Sequence, residues 1–160
     1  MDQAIKIGIA DMQLAKDKGM LITYALGSCI GVCLYDPLLR LGAMVHILLP
    51  LNMETGRKNP LKYADTGIKE TLRQMEAKGA MRQRIVAKIA GGASMFEVIG
   101  GSSLGNIGQR NIDSVHMVLK REGIRLLKED VGGRTARTLL FDVTNGLCCV
   151  RCYGKPELVF

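Results

Sequence analysis

The sequence predicts an α+β fold in which antiparallel strands are covered by two main helices. Apolar runs of strand length crowd both ends of the chain, and several of them adjoin through short turns. Only two segments carry apolar side chains at helical spacing. The chain has 160 residues, of which 48% are hydrophobic and 23% charged. That size and composition are typical of one globular domain, so residues 1–160 are expected to form a single domain.

Strands dominate the first fifty residues. Ile5, Ile7 and Ile9 alternate with other residues, which predicts a half-buried strand that Met12 and Leu14 continue after a turn or bulge. Three further apolar runs predict strands over 20–26, 29–35 and 42–49. Proline residues end the last two, and the polar stretch that follows, 52–60, predicts a loop.

Two helices follow in the middle of the chain. The segment 61–78 places Ala64, Ile68, Leu72 and Met75 on one face and charged residues on the other. The segment 111–122 has an apolar stripe that consists of Ile112, Val115, His116 and Leu119. His116 is therefore expected first as a core or core-edge residue and only second as a catalytic one. Between the helices, a strand over 84–90 precedes a glycine-rich loop over 91–108.

The C-terminal part is predicted to be all strand, over 124–130, 135–143 and 147–153. Asn145-Gly146 predicts a hairpin between the last two strands, with positive φ at both turn positions. The tail 155–160 ends in apolar residues and is expected to dock on the body.

Composition argues against several classes of protein. The beginning of the chain lacks the pattern of a secretory signal, and the longest apolar runs are too short to cross a bilayer, so a cytoplasmic location without membrane insertion is expected. Five cysteines in such a chain favour reduced thiols. Cys149 and Cys152 form a C-x-x-C on a predicted strand, where they face opposite sides, so no metal site and no cofactor are expected. The net charge of +7 is compatible with nucleic acid, but only 4% of residues are aromatic and the basic residues are dispersed, so a solvated basic face is favoured.

Cys29 and His46 are the candidate catalytic pair. Cys29 follows Gly27-Ser28 at the start of one predicted strand, and His46 lies near the end of the next. If the two strands form an antiparallel hairpin, the start of the first lies beside the end of the second. A thiol beside an imidazole is suited to nucleophilic acyl transfer, and backbone amides at the Gly27-Ser28 bend are candidate oxyanion donors. A buried cysteine and a packed histidine are the alternative interpretation. Cys33, on the same strand, is predicted to be a core residue.

The residues around this pair resemble the CheD family. Thr23, Cys29 and His46 have the family's spacing, within the motif Leu-Gly-Ser-Cys-Ile-Gly-Val and before a His-x-x-Leu-Pro motif that ends at Pro50. The resemblance continues, in order, through segments 62–68, 87–93, 107–111 and 130–133. It therefore extends over nearly the whole chain.

The resemblance implies an α/β/β layered sandwich like the catalytic domain of cytotoxic necrotizing factor toxins. It implies a cysteine-dependent deamidase that converts chemoreceptor glutamines to glutamates, with methylesterase activity in some members, in chemotaxis adaptation. Thr23 would be the third catalytic residue, beside Cys29 and His46. The implied partners are the cytoplasmic helical domain of chemoreceptors, the phosphatase CheC and, through it, phosphorylated CheY. A monomer that pairs with CheC is expected.

Two other functions are compatible with the sequence. One is a largely non-catalytic module that binds CheC and stimulates it. The other is a small basic nucleic-acid binder, which only the net charge supports.

Overall fold

The computed structural model describes residues 4–52, 59–95 and 106–160, and these residues form two five-stranded sheets and two α-helices. The strands are β1 (Ile5–Lys6), β2 (Met12–Lys16), β3 (Met20–Leu26), β4 (Ile30–Asp36), β5 (Leu41–Ile47), β6 (Val86–Gly91), β7 (Arg125–Val131), β8 (Arg137–Asp142), β9 (Leu147–Cys152) and β10 (Leu158–Val159). The helices are α1 (Ala64–Ala77) and α2 (Ile107–Arg121), and a 3-10 turn over Pro60–Lys62 precedes α1. The predicted α+β class is confirmed.

One sheet lies between the helices and the other sheet. The inner sheet has the order β2-β5-β4-β6-β7 and the outer sheet the order β1-β3-β8-β9-β10. Apolar side chains of α1 and α2 form one core with the face of the inner sheet that carries Ile30 and Val32. The opposite face, which carries Cys33 and Met44, forms a second core with the outer sheet. Strands β4 and β5 are therefore buried along their whole length, as strands covered on both faces are.

The sheets are mixed rather than antiparallel. Strand β1 pairs with β3 in parallel, and β6 pairs with β7 in parallel after the chain passes through the segment that contains α2. A parallel pair needs such a long crossover, and the connection over residues 92–124, which contains α2, supplies it. The other pairings are antiparallel, including the β4–β5 and β8–β9 hairpins that the sequence predicted.

The first predicted strand is divided between the two sheets. Only Ile5–Lys6 forms a strand in the outer sheet, whereas Ile9 is 61% exposed in a turn. Ala10 has a φ of +56°, which turns the chain so that Met12–Lys16 pairs with β5 in the inner sheet. The prediction that Met12 and Leu14 continue the first strand was wrong because the alternation of apolar residues does not reveal a change of sheet.

Helix α2 begins four residues earlier than predicted, at Ile107 rather than Asn111. Gly108 was assigned to a loop, but it lies inside the helix where the chain approaches another backbone closely. A Cβ at this position would lie 2.4 Å from the Ala93 carbonyl oxygen, so glycine serves close packing here. Most of the predicted glycine-rich loop, and most of the predicted loop over 52–60, lie outside the described residues.

The β8–β9 connection has four residues, 143–146, rather than a two-residue turn. Only Gly146 has a positive φ there, so the predicted positive φ at Asn145 was wrong. The C-terminal tail docks as predicted: β10 pairs with β9, and Phe160 exchanges two backbone hydrogen bonds with Cys148. Within the described ranges, no helix is long and apolar enough to cross a membrane.

Candidate active site

The β4–β5 hairpin places Cys29 and His46 on the same face of the inner sheet. His46 lies directly opposite Gly31, and Ile30 lies opposite Ile47, so Cys29, the residue before β4, continues this register to a diagonal neighbour of His46. Diagonal neighbours on one face have Cα atoms about 7–8 Å apart, within reach of an imidazole. This face is turned towards the outer sheet, and Cys29 packs in the core between the two sheets. Both side chains are buried: Cys29 is 7% exposed and His46 is 1% exposed.

Thr23 reaches His46 from the outer sheet. Its Oγ1 lies 2.7 Å from His46 Nδ1 and 2.8 Å from the carbonyl oxygen of Ile7. The short contact between two oxygens requires that the hydroxyl proton lies between them, so Thr23 donates to Ile7. The hydroxyl oxygen must then accept a hydrogen bond from Nδ1–H. The neutral ring therefore carries its proton on Nδ1 and has a lone pair on Nε2, the tautomer that a general base needs.

Gly31 leaves room for this contact between the sheets. A Cβ on Gly31 would lie 3.6 Å from the methyl group of Thr23 and 2.7 Å from a methyl group of Leu139. A larger residue opposite His46 would therefore separate the two sheets where Thr23 and His46 meet. On the outer sheet, β3 has an irregular register between Thr23 and Leu26, and Ala25 has a φ of +58°. Such bulges redirect side chains and are common beside active sites.

Burial keeps both reactive groups neutral. It lowers the pKa of His46 to about 4. It also raises the pKa of the Cys29 thiol, although a hydrogen bond from the backbone amide of Cys29 acts in the opposite direction. His46 Nε2 has no hydrogen-bond partner among the described residues. At neutral pH the resting site therefore holds a thiol and an imidazole with a free lone pair, rather than an ion pair.

The turn that precedes Cys29 is anchored through its carbonyl groups. The carbonyl oxygen of Gly27 accepts a hydrogen bond from the Ala93 amide, and that of Cys29 accepts one from the Gly92 amide, both at 2.8 Å. The carbonyl oxygen of Ser28, between them, accepts one from the side-chain amide of Asn111, also at 2.8 Å. Each carbonyl shares a rigid peptide plane with the next amide and points away from it. The amides of residues 28 and 29 therefore point away from these anchors. In the described part of the chain, neither donates to a backbone carbonyl.

The Gly27 amide is already engaged, since it donates to the Ala25 carbonyl at 2.9 Å. Of the two oxyanion donors that the sequence suggested, the amide of Ser28 is the one that is still available. Gly91 packs closely against the other side of this turn, because a Cβ on Gly91 would lie 2.1 Å from the Cys29 carbonyl oxygen. Gly91 also has a φ of +121°, which favours glycine.

The other residues that the sequence singled out lie elsewhere. Cys33 is a core residue, as predicted, at 2% exposure. Cys149 contacts Glu157 on the outer surface, whereas Cys152 packs towards the core, so the C-x-x-C side chains face opposite sides as predicted. Among the described residues, no cluster of His, Cys, Asp or Glu could hold a metal ion.

His116 is neither a core residue nor part of the candidate site. Its side chain is 40% exposed, and its Nε2 contacts the Glu129 carboxylate on β7. Of the two predicted positions, the core was wrong, whereas the edge of the core agrees with its intermediate burial beside the edge strand β7. It lines a surface groove with a volume of about 380 Å³, and that lining does not include Cys29.

Sequence reasoning missed one residue that contacts this site. Asn111 is 0% exposed, and its Nδ2 donates to the carbonyl oxygens of Ser28 at 2.8 Å and Leu48 at 3.1 Å. The available signal was its place on α2: Asn111 lies one turn before the buried Val115 and next to the buried Ile112. A polar residue on the apolar face of a helix indicates a specific buried partner.

Comparisons with known proteins agree on one family. The family model described as CheD, chemotactic sensory transduction, matches residues 48–152. A protein of Syntrophomonas wolfei named probable chemoreceptor glutamine deamidase CheD is 43% identical over 160 residues, which are 99% of each chain. Proteins with the same name from Desulfitobacterium hafniense (43% identical, 99% of each chain) and Moorella thermoacetica (44% identical, 96% of this chain and 93% of the relative) are also similar. The matched range of the family model begins after His46, whereas the first of these alignments includes nearly the whole chain.

Proposed function

Because the chain belongs to the CheD family, we propose that it is a protein-glutamine deamidase that hydrolyses glutamine side chains of chemoreceptors to glutamates, with Cys29 as its nucleophile. The relatives are named for this activity. The hydrogen bonding and position of His46 are the main support for this proposal. Thr23 engages its Nδ1, its Nε2 lone pair is free, and Cys29 is its neighbour on the same face.

The first half of the reaction transfers the acyl group to sulfur. His46 Nε2 takes the thiol proton while the Cys29 sulfur attacks the side-chain carbonyl carbon of glutamine, whose π electrons move to the oxygen. The oxyanion collapses, the C–N bond breaks, and the proton on Nε2 goes to the departing nitrogen as ammonia leaves. A glutamyl thioester remains.

Water completes the reaction. His46 Nε2 removes a proton from a water molecule, and the resulting hydroxide attacks the thioester carbon. When the C–S bond breaks, the sulfur takes the proton back from Nε2, and a glutamate carboxyl group is released. Throughout, the hydrogen bond from Nδ1–H to Thr23 fixes the ring, although a neutral hydroxyl stabilises an imidazolium less than a carboxylate does.

The pKa values indicate that proton transfer and attack occur together. An ordinary thiol has a pKa near 8.5, burial raises that of Cys29, and the pKa of His46 is about 4. Both shifts therefore disfavour a separate thiolate–imidazolium pair before attack. Transfer that is coupled to bond formation avoids the separate ion pair, and the amides of Ser28 and Cys29 are the proposed donors to the oxyanion.

Finer parts of the proposal depend on the same chemistry. The thioester mechanism also hydrolyses a glutamyl methyl ester, with methanol as the leaving group, so receptor methylesterase activity is included. A cytoplasmic location, a monomer that pairs with CheC, an indirect link to phosphorylated CheY and a likeness to the toxin catalytic domain remain predictions. A mainly regulatory role, in which the chain stimulates CheC, is the competing function.

Deamidation is tested directly with a receptor cytoplasmic fragment. Conversion of glutamine to glutamate is followed by peptide mass spectrometry, together with the ammonia released. Cys29→Ala and His46→Gln are expected to abolish conversion. Cys33→Ala is the matched control, because Cys33 lies on β4 in the same core between the sheets, and it is expected to retain conversion. Full turnover by Cys29→Ala would refute the mechanism. A wild-type protein that changes CheC phosphatase activity but leaves every receptor glutamine intact would favour the regulatory function.

A further inference from the structure

We infer that Asn111 is a positioning residue that orients the Cys29 amide as an oxyanion donor. This inference rests on the proposed function, since an oxyanion forms only if Cys29 attacks a carbonyl. Its basis is geometric: one fully buried side chain binds the carbonyl that shares a peptide plane with the Cys29 amide.

Asn111 joins the two segments that carry the reactive groups. Its Nδ2 donates to Ser28 O, immediately before the nucleophile, and to Leu48 O, two residues beyond His46. Both protons of the NH2 group are thereby used, while its Oδ1 has no partner in the described part of the chain. A buried amide with one unsatisfied atom is unfavourable for stability, and such groups in proteins generally have a specific role.

The direction of the Cys29 amide follows from this contact. The described chain contains no cis peptide bond, so the Ser28 carbonyl and the Cys29 N–H point in opposite directions from one plane. The carbonyl is held towards α2, which packs on the helix-facing side of the inner sheet. The N–H is therefore turned away from α2, towards the side where the Cys29 side chain packs.

A second observation agrees with that direction. The backbone amide of Cys29 acts to lower the pKa of the Cys29 thiol, in the direction opposite to the effect of burial. An amide that reaches Sγ also lies next to the carbonyl oxygen of a substrate whose carbon is being attacked by Sγ. The same donor can thus stabilise the thiolate and then the oxyanion.

Of the three groups that hold the carbonyls of this turn, Asn111 is the one that binds through its side chain, so a substitution can remove its hydrogen bond. The neighbouring carbonyls of residues 27 and 29 are held by backbone amides of Ala93 and Gly92, which side-chain substitutions leave in place. Replacement of Asn111 therefore frees one peptide plane while the flanking planes remain anchored. Loss of one preorganised oxyanion donor typically lowers kcat by about 10²–10³-fold.

The test uses Asn111→Leu, which keeps the volume without the donors, and Asn111→Asp, which keeps the shape but turns an acceptor towards two carbonyls. Thr71→Val is the matched control: Thr71 is also 0% exposed, and it donates one buried hydrogen bond to Gly67 within α1 rather than to the turn before Cys29. We expect both Asn111 variants to lose about 100-fold in kcat with little change in KM, and Thr71→Val to keep both constants despite reduced stability. Folded Asn111 variants with wild-type kcat would overturn the inference.

Alkylation of Cys29 by iodoacetamide, mapped by mass spectrometry across pH, separates this inference from the proposed function. The alkylation profile of both Asn111 variants is expected to move to higher pH, because the thiolate loses an oriented donor, whereas that of Thr71→Val stays in place. The measurement needs no substrate. An inactive wild-type protein would refute the proposed function while the alkylation profile still tests the role of Asn111. An unchanged profile in folded variants would contradict the positioning role.

A measurement on the wild-type protein applies even if the variants do not fold. The Cys29 amide proton is followed by NMR as the thiol is ionised with rising pH. We expect its resonance to move downfield because the hydrogen bond to sulfur strengthens when the sulfur becomes charged. A resonance that does not respond to ionisation would show that the amide is not turned towards sulfur, and would overturn the inference.

Discussion

Protonation of the buried His46 is expected to make the folded state unstable in mild acid. The folded-state pKa is about 4, whereas an unfolded histidine titrates near 6.5. Above pH 6.5 the ring is neutral in both states, so this contribution to stability is fully present. Between pH 6.5 and pH 4 the unfolded chain binds a proton that the folded protein does not, and stability falls. The two pKa values give a loss of about 2 kcal/mol between pH 7 and pH 5.

Urea unfolding at a series of pH values measures this loss. The variant His46→Gln removes the titrating ring, so its free energy of unfolding is expected to change by about 2 kcal/mol less than that of the wild type between pH 7 and pH 5. The matched control is His116→Gln, because His116 is the other histidine of the chain and its side chain is 40% exposed. It is the control for loss of an imidazole at the surface rather than in the core. If His46→Gln and the wild type lose stability in parallel, His46 is not held neutral by burial and the assigned resting state is wrong.

The remaining predictions concern the groups around the pair. Thr23→Val leaves Nδ1–H of the buried His46 ring without an acceptor, so it is expected to lower kcat by about 100-fold and the unfolding free energy by about 1–3 kcal/mol. Thr23→Ser keeps the acceptor and is expected to keep activity. Loss of activity in Thr23→Ser as well would argue against the hydrogen bond as the cause. Gly91→Ala places a Cβ 2.1 Å from a backbone oxygen at a φ of +121°, and it is expected to cost more than about 3 kcal/mol and to abolish deamidation. Gly132→Ala, at a φ of +86° with no atom within 4 Å, is expected to cost only about 1–2 kcal/mol in the same denaturation assay, so equal costs would contradict the close contact.

The sequence predicted the hairpin that carries the candidate pair because local signals define it. Apolar runs bounded by Asp36-Pro37 and Pro50 set the lengths of β4 and β5, and the separation of Cys29 and His46 then follows from antiparallel pairing. The division of the first predicted strand between two sheets could not be anticipated in this way. It depends on the left-handed backbone of Ala10, and an alanine gives no sequence signal for that conformation.

Contacts between the two sheets also could not be predicted from the local sequence pattern. Thr23 lies in a strand of a different sheet from His46, and only the family resemblance pointed to it. The sequence predicted that α2 begins at Asn111, because Gly108 was interpreted as part of a loop, whereas the helix begins at Ile107. The role of Asn111 depends on how closely α2 approaches residues 92 and 93, a distance that the absence of a side chain at Gly108 permits. Helical periodicity marks the buried face but not the partner that the face meets.

If Cys29 and His46 act as proposed, the contact between Thr23 and His46 makes activity depend on the packing of one sheet against the other. The proposed nucleophile and base belong to the inner sheet, whereas Thr23, which holds the imidazole ring, belongs to the outer sheet. The two sheets share a core that contains Cys33, Met44 and Phe141. A partial opening that lifts the outer sheet would leave the hairpin paired but release the imidazole. Proteins open in such cooperative units at a lower free energy than global unfolding requires. Activity would then depend on how well the outer sheet packs against the inner sheet. A ligand that stabilises or destabilises the packing between the two sheets would change turnover without contacting the substrate.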